Sequence, residues 1–366
     1  MYRGPDGRQH ARSFDTKERA ARWLRSELAA IDRGGWIDPR AGDLRFGDWA
    51  VEWMRGLDVK PKTQAGYESL LRSRILPTLG AVKLSSITSA MVRRWVTDMV
   101  AEGLSASRIR QARAILRQSL EVARVDGLIG GNPAQGVKAP VSRRREPRYL
   151  TAEQVARLAG RAEDRQRGSG AFVWFLAVTG LRWGEAVALR RSALDLMRRR
   201  VEVHEAVTEI SGRLVHGTPK SHLSRTIVIP KVLADRLASH CARLAADDLV
   251  FTSPRGGYLR SANFRRNVWV PALRAAGLDE KLRIHDLRAT AASLMVSSGA
   301  SIKAIQRALG HASAKMTLDT YAGLFTDDLE ALAERMHERL VPVANGPTAL
   351  ETETVGITRL HDAAAG

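Results

Sequence analysis

A stretch rich in proline and arginine, residues 133–148, most constrains the fold of this chain. Asn132-Pro133 ends the helical pattern before it, and the sequence GVKAPVSRRREPRYL adds two prolines and a cluster of arginines without apolar periodicity. A segment of this composition neither continues a helix nor joins a packed core. We therefore expect an extended basic linker between two large domains, an arrangement that would let them close like a clamp.

The chain before this linker divides into a small module and a longer helical region. In residues 1–40 the turn signal Pro5-Asp6-Gly7 separates two short extended segments, and an amphipathic pattern then predicts a helix capped by Asp15 or Thr16. The basic residues of this module would suit a DNA-contacting arm, but charge alone also fits a solvated edge module.

Residues 45–132 contain four amphipathic helical patterns and little strand signal. Thr63 is the predicted N-cap of the second helix, which Pro77 and Gly80 are predicted to end. Arginine and lysine lie opposite the apolar stripes, so we expect a bundle of four or five helices whose outer face could contact phosphates. Because any bundle has polar outer faces, this segment alone does not identify DNA as the ligand.

Residues 149–341 combine helices with strands and form the second predicted large domain. Thr151-x-x-Gln154 is a capping box that opens a helix, and the apolar helix AFVWFLAVTG, ending at Gly180, should be buried. The segment AVALRRSALD predicts a further helix. An antiparallel meander is predicted next, with Lys220 in the turn before its last strand. Its strands come from three segments: RRRVEVHEAVT, GRLVHGTPKS and SRTIVIP.

These patterns predict a mainly α-helical, multidomain protein with a small antiparallel β-sheet. TDDLEALAERMHERL predicts a final amphipathic helix, and we expect residues 342–366 to form a loosely ordered tail. The net charge of +19 favours a polyanionic partner, either nucleic acid or an anionic membrane surface. Cys241 is the only cysteine, and the chain has neither a long apolar run nor a signal-peptide core. We therefore expect a soluble, intracellular protein without disulfides.

Four polar residues near the end of the second domain could act on one phosphate. His285 and Arg288 lie three positions apart, so they share a face if the segment is helical. His311 follows a glycine, and Tyr321 comes after a short polar run. Taken singly, each has an ordinary explanation, such as a helix cap, a satisfied core histidine or a packed aromatic ring.

Covalent transfer of a phosphodiester needs a nucleophile, cations for the non-bridging oxygens, and an acid for the departing oxygen. Earlier segments supply two further cations, Arg182 just after a helix end and Lys220 in a turn. Each would ordinarily be a solvated surface residue. The ordered set Arg, Lys, His-x-x-Arg, His and Tyr makes the catalytic interpretation stronger than any single residue does.

Four segments resemble the catalytic motifs of the tyrosine recombinase (phage integrase) family: TGLRWGEAVALR, TPKSHLSRTIVIP, HDLRATAAS and ALGHASAKMTLDTYAGL. The resemblance is strong over residues 150–340. With less specificity, residues 45–132 resemble the family's core-DNA-binding domain and residues 1–40 its arm-type DNA-binding domain. The resemblance implies a site-specific DNA recombinase that works through a 3′-phosphotyrosyl intermediate, with no ATP, metal or other cofactor.

The resemblance also implies a role for each residue of the set. Tyr321 would be the nucleophile that releases a 5′-hydroxyl. Arg182 and Arg288 would clamp the scissile phosphate, and Glu185 would orient the site as a supporting residue.

Two further residues would transfer protons, and a third would hydrogen-bond the phosphate. Lys220 would be the general acid toward the leaving 5′-oxygen, His285 would act as acid and base near Tyr321, and His311 would hydrogen-bond a phosphate oxygen. Many relatives have a second histidine directly after the motif arginine, where this chain has Ala289. This departure affects a supporting position and leaves the expected chemistry unchanged.

The partners that the resemblance implies are double-stranded DNA attachment sites, a homotetramer on two duplexes, a directionality factor and a DNA-bending protein, in the cytoplasm of a bacterial host and with no membrane. The enzyme would integrate, and with a partner factor excise, a phage or other mobile element. Two alternatives stay open. One is a recombinase that resolves chromosome dimers, and the other is a non-catalytic DNA-binding regulator, since SIKAIQRALGHASAKMTLDTY resembles a helix-turn-helix.

Overall fold

A computed structural model describes residues 1–38, 40–141, 148–217, 224–321, 333–334 and 336–341. The chain divides into two compact units. The first comprises Met1–Glu146 with Val207–Gly217, and the second comprises Pro147–Ala206 with Thr218–Gly366. The described elements are mainly helices with small antiparallel sheets, which confirms the predicted fold class.

The helices and strands before the linker are β1 (Tyr2–Arg3), β2 (Gln9–His10), α1 (Lys17–Asp32), α2 (Phe46–Arg55), α3 (Pro61–Leu70), α4 (Leu76–Leu79), α5 (Ser89–Ala101) and α6 (Ala106–Val125). Strands β1 and β2 pair antiparallel, and the Thr16 hydroxyl caps α1 by accepting a hydrogen bond from the Arg19 backbone N–H. No residue of α1 is buried, because a hairpin with one helix is too small to enclose a core.

Helices α2 to α6 surround the apolar core of the first unit, which includes Phe46, Ile75, Leu116 and Leu120. The predicted end of the second helix of this bundle at Gly80 is confirmed, but its predicted start was wrong. It begins at Pro61, two residues before the predicted cap Thr63, because a helix's first turn does not need the N–H that proline lacks. It then passes through a π turn at Leu71–Ile75 into α4, so Pro77 lies in another first turn and does not end the helix.

The first residues of the predicted linker differ from an extended chain. Ala134 and Val137 are buried in the core of the first unit, and the Asn132 side chain donates a hydrogen bond to the Arg117 carbonyl at 2.9 Å. Apolar burial therefore holds the start of this stretch against the bundle. Residues 142–147 lie outside the described residues.

The later elements are α7 (Ala152–Arg165), α8 (Ser169–Thr179), α9 (Trp183–Val187), β3 (Leu194–Asp195), β4 (Arg200–Val203), β5 (Ala206–Ile210), β6 (Arg213–Gly217), β7 (Arg225–Val228), α10 (Lys231–Cys241), α11 (Ser261–Phe264), a π turn (Arg265–Trp269), α12 (Val270–Ala275), α13 (Asp286–Ser297), α14 (Ile302–Leu309) and α15 (Ala314–Tyr321). The Thr151–Gln154 capping box opens α7 as predicted. Helix α8 is buried against α7, α10 and α13.

The single predicted meander is wrong. Strands β3, β4 and β7 form one antiparallel sheet in that order, whereas β5 and β6 form a separate pair. Val201 of β4 lies opposite Ile227 of β7 and both are buried, but no residue of β6 is. Burial of the alternating apolar residues therefore makes β4 and β7 neighbours. Lys220 belongs to residues 218–223, which lie outside the described residues.

The helix predicted for AVALRRSALD is also wrong, since α9 ends at Val187 and β3 begins at Leu194. The backbone between them makes one short 3₁₀ turn, Arg191–Ala193, and also bonds to a distant segment. Val250 N donates to the Leu189 carbonyl at 2.9 Å, and Arg191 N donates to the Asp248 carbonyl at 2.9 Å. Residues 333–334 and 336–341 are helical and overlap the predicted last helix, residues 326–340. None of the described helices combines the length and apolar character needed to cross a membrane.

Candidate active site

Arg182 follows the buried end of α8, two residues after a turn at Gly180. Gly180 has a φ of +63°, and a Cβ atom there would come within 2.4 Å of the Leu309 side chain. Arg182 then lies directly before α9, where its backbone N–H and its guanidinium donate to the two carboxylate oxygens of Glu185 at 3.0 and 2.9 Å. About a quarter of the Arg182 side chain, 26%, stays exposed, so it can still reach a ligand.

Glu185 holds a second guanidinium that the sequence analysis missed. Arg225, the first residue of β7, donates to Glu185 at 2.7 and 3.3 Å and to the Ala308 carbonyl at 3.2 Å. Burial raises the pKa of the Glu185 carboxyl, but the ion pairs with Arg225 and Arg182 outweigh it and hold that pKa below its usual value. The strand pattern SRTIVIP contained a signal, because alternation puts Arg225 on the same face as the buried Ile227.

Arg288 is buried and is held by two helix ends. Its guanidinium donates to the carbonyl of Gly180, after α8, at 2.6 Å and to that of Leu309, at the end of α14, at 2.7 Å. Helix C-termini carry partial negative charge, which favours a cation at this position. Burial, and then the charge of Arg182, lowers the pKa of Arg288 to about 10, so it stays protonated at neutral pH.

Gly310 ends α14 in the left-handed conformation, with a φ of +65°, and turns the chain toward His311. The His311 ring is hydrogen-bonded through Nδ1 to the Thr317 hydroxyl at 2.9 Å. It lies nearly parallel to the Tyr321 ring, with 6.2 Å between centroids and 13° between planes. Burial, followed by the charges of nearby arginines, lowers the pKa of His311 to about 4, so the imidazole is neutral at pH 7.

Tyr321 is the last residue of α15 and is 5% exposed. Burial raises the pKa of its phenol, and the positive charge of Arg288 offsets only part of that rise. The phenol is therefore protonated in the DNA-free protein at neutral pH. Ala289 packs against the apolar cluster that includes Tyr321, so the position where many relatives have histidine holds a small packed side chain.

The structure brings together five of the seven predicted site residues: Arg182, Glu185, Arg288, His311 and Tyr321. His285 is exposed directly before α13, and its backbone carbonyl accepts a hydrogen bond from the Arg288 N–H at 3.1 Å. Lys220 lies outside the described residues. The role of each residue therefore stays a prediction.

Within the described ranges, the one group of side chains close enough to share a metal ion lies in the N-terminal module. Its ligand atoms, from Asp6, His10 and Asp38, are within 4.8 Å of one another. The His10 ring already lies 3.1 Å from both Asp6 carboxylate oxygens, so hydrogen bonding accounts for this contact. The group belongs to the first unit, and the arginine and tyrosine cluster belongs to the second.

Two family models match the chain. The model described as the phage integrase family matches residues 148–327, and that described as the phage integrase N-terminal SAM-like domain matches residues 45–100. A protein named as the prophage phiRv2 integrase of Mycobacterium tuberculosis is 32% identical over 331 residues, 87% of this chain and 86% of the relative. The integrase of Mycobacterium phage FRAT1 is 30% identical over 335 residues, 87% and 98% of the two chains.

A solved structure with a similar fold is that of the Tn1549 transposon integrase in complex with a circular intermediate DNA. Its TM-score is 0.69 at 20% identity, and the match covers 80% of this chain and 99% of that one. At this identity the likeness concerns the fold.

Proposed function

The chain belongs to the phage integrase family of tyrosine recombinases, and from that premise we propose that Tyr321 cuts and rejoins DNA in the cluster described above. The enzyme is a site-specific DNA recombinase. In the proposed first step the Tyr321 oxygen attacks phosphorus, the bond from phosphorus to the 5′-oxygen breaks, and that oxygen leaves as a hydroxyl after taking a proton. Attack by the 5′-hydroxyl of another strand reverses these changes, so no external energy source is needed.

The observation that carries this proposal is an excess of buried positive charge beside a phenol. In the part of the cluster that the structure describes, three guanidiniums, those of Arg182, Arg225 and Arg288, surround the single carboxylate of Glu185. Both hydrogen bonds recorded for Arg288 go to carbonyl groups, which leave its charge uncompensated. A phosphodiester would supply the missing negative charge at the place where charge develops during the reaction.

The same contacts support a division of labour among the arginines. Arg288 is fixed by two carbonyls and lies next to Tyr321, so it would hold a non-bridging oxygen without reorganising. Arg182 is oriented by Glu185 yet partly exposed, so it would bind the other side of the phosphate. Because the pKa of Tyr321 is raised, the phenol needs a proton acceptor once DNA is bound, and we assign that role to His285.

We propose DNA-binding roles for the remaining parts of the chain. Residues 1–40 would contact arm-type sites, residues 45–132 the core site, and residues 133–148 would link them to the catalytic domain, residues 149–341. The SAM-like match at residues 45–100 supports the second assignment. Residues 342–366 remain an unassigned tail.

Double-stranded DNA is the partner that the family membership and the integrase–DNA structure support. We propose a homotetramer on two attachment sites, assisted by a directionality factor and a DNA-bending protein, acting in the cytoplasm of a bacterial host. Sedimentation of the protein with one and with two site duplexes would test this assembly, and a complex that never exceeds a dimer would contradict it.

Covalent trapping tests the chemistry. The substrate is a nicked duplex that carries the core sequence shared by both ends of the element encoding this chain, so that the fragment bearing the 5′-hydroxyl diffuses away after cleavage. The wild type should form a protease-sensitive adduct. Tyr321→Phe should form none but still bind, and the control Tyr149→Phe, at an exposed tyrosine, should trap normally.

The two alternatives give different results. A DNA-binding regulator would bind the duplex and trap no strand. A recombinase that resolves chromosome dimers would trap, but it would recombine two chromosomal sites and not the element's ends. The relatives described above are named integrases, which favours the integrase assignment.

A further inference from the structure

Thr317 contacts His311, the residue predicted to hydrogen-bond a phosphate oxygen, and lies in the motif segment ALGHASAKMTLDTYAGL without an assigned role. It is completely buried and lies four residues before Tyr321, so it shares a face of α15 with the proposed nucleophile. Its hydroxyl lies 2.9 Å from His311 Nδ1. One buried hydroxyl thus touches the ring that stacks beside Tyr321.

The Thr317 hydroxyl makes an unusual choice of partner. Helical threonines commonly donate to the carbonyl four residues earlier, as Thr97 does to Arg93 at 3.1 Å. For Thr317 the imidazole is the one hydrogen-bond partner recorded among the described residues. Its single proton is therefore available to Nδ1.

The charge on the ring limits how His311 can bind an anion. Its pKa of about 4 reflects burial and the charges of Arg288, Arg182 and Arg225, so the ring is neutral at pH 7 and carries one N–H. A phosphodiester only accepts hydrogen bonds, so a neutral imidazole contacts it only through that N–H. Because Nδ1 contacts Thr317, Nε2 is the nitrogen left to contact a phosphate, and it carries the N–H only when the Thr317 hydroxyl donates to Nδ1.

We infer that Thr317 is a positioning residue: its hydroxyl donates to Nδ1 and holds His311 in the tautomer whose Nε2–H faces the scissile phosphate. If Nδ1 carried the proton, Nε2 would turn a lone pair toward the phosphate and repel it. The identity of the ligand rests on the proposed function, but the tautomer is a property of the DNA-free protein.

Nitrogen NMR of the full chain labelled with ¹⁵N-histidine measures the tautomer directly at pH 7, and His311→Gln assigns the signals. We expect a pyridine-type Nδ1 and a pyrrole-type Nε2 in the wild type and in Thr317→Ser, which keeps the hydroxyl. Thr317→Val should give a mixture of tautomers. The matched control Thr290→Val alters another buried threonine of this unit, whose hydroxyl binds Leu150 N and the Asp286 carbonyl, and should leave the His311 signals unchanged. A pyrrole-type Nδ1 in the wild type would overturn the inference.

Cleavage of the nicked duplex provides a second measurement. Thr317→Val should slow single-turnover trapping about three- to tenfold, as expected for the loss of one hydrogen bond. That bond, from the Thr317 hydroxyl to His311 Nδ1, is the one that favours the active tautomer. In a His311→Gln background the same change should have no further effect. Equal slowing in both backgrounds would mean that Thr317 acts only through folding. If the wild type traps no DNA, the proposed function fails, while the NMR result still decides the tautomer.

Discussion

The Arg288 guanidinium donates a hydrogen bond to the Gly180 carbonyl at 2.6 Å and so joins residues 108 positions apart in the sequence. A second bond to the Leu309 carbonyl ties the end of α14 to the same side chain. One cation therefore fixes the turns that lead to Arg182 and to His311.

Replacing Arg288 with lysine should disrupt both the site and the fold. A lysine keeps the charge, but it cannot reproduce the planar guanidinium that reaches two carbonyls. We expect trapping to fall by about 10²–10³-fold through loss of a preorganised charge contact. Unsatisfied buried carbonyls should lower the free energy of unfolding by about 1–3 kcal/mol.

Single-turnover trapping and urea unfolding measure these two effects separately. Arg283→Lys is the control, because the Arg283 side chain is exposed in the turn before α13. Wild-type cleavage by Arg288→Lys would refute the proposed clamp.

Replacing Glu185 with glutamine should leave its guanidinium partners uncompensated. Removing one partner of a buried ion pair typically lowers stability by about 3–5 kcal/mol. Because the folded pKa of Glu185 is depressed, its contribution is complete above the unfolded pKa and is lost as pH falls through the folded pKa. The stability gap between wild type and Glu185→Gln should therefore be constant near neutral pH and shrink below about pH 4.5.

Urea unfolding between pH 3.5 and 7 tests this dependence. The control is Glu205→Gln, whose carboxylate is 46% exposed. A gap between wild type and Glu185→Gln that widens in acid would contradict the assigned ion pairs.

His311 should make the second unit sensitive to mild acid. Its folded pKa of about 4 lies below the ordinary value of 6.5, so between these limits the unfolded chain binds more protons. Stability should be complete above pH 6.5 and decline toward pH 4, by at most on the order of 3 kcal/mol from this group.

Comparing His311→Gln with the wild type at pH 7 and pH 5 isolates the effect, since glutamine does not titrate. The exposed His204 provides the control variant, His204→Gln. If His311→Gln lost as much stability on acidification as the wild type, the depressed pKa would be wrong.

A side chain at Gly310 should destabilise the protein. A Cβ atom there would lie 3.0–3.1 Å from the Arg225 guanidinium, in addition to the strain at a φ of +65°. Gly277→Ala is a matched control, because Gly277 has a φ of +66° and no heavy atom within 4 Å of the added methyl. Strain alone should lower stability by about 1–2 kcal/mol in Gly277→Ala.

Gly310→Ala should lose more stability than this control, and it should also slow trapping because His311 follows directly. Thermal unfolding and single-turnover trapping provide the two measurements. If Gly310→Ala and Gly277→Ala changed the stability and the trapping rate equally, the close contact between a side chain at position 310 and the Arg225 guanidinium would be unimportant.

Local patterns in the sequence determined most element types and several of their ends. The sequence predicted the Thr151–Gln154 capping box and the helix end at Gly180, and it narrowed the N-cap of α1 to Asp15 or Thr16, because capping depends on residues within one turn. The site residues were also identifiable as a set, since their order and spacing resemble family motifs. Their assigned roles remain predictions.

Only the tertiary structure decided which distant groups meet. Arg225 pairs with Glu185 across 40 positions, and Arg288 bonds the carbonyls of two helices that no local pattern connects. Tertiary structure also decided that β5 and β6 form a pair apart from the main sheet. Strands pair so that their apolar residues are buried, and this outweighs their order in the chain. A capping motif is satisfied by its own neighbours in the chain. A buried charge is satisfied by whichever segments fold around it, and the sequence specifies these only through the complete fold.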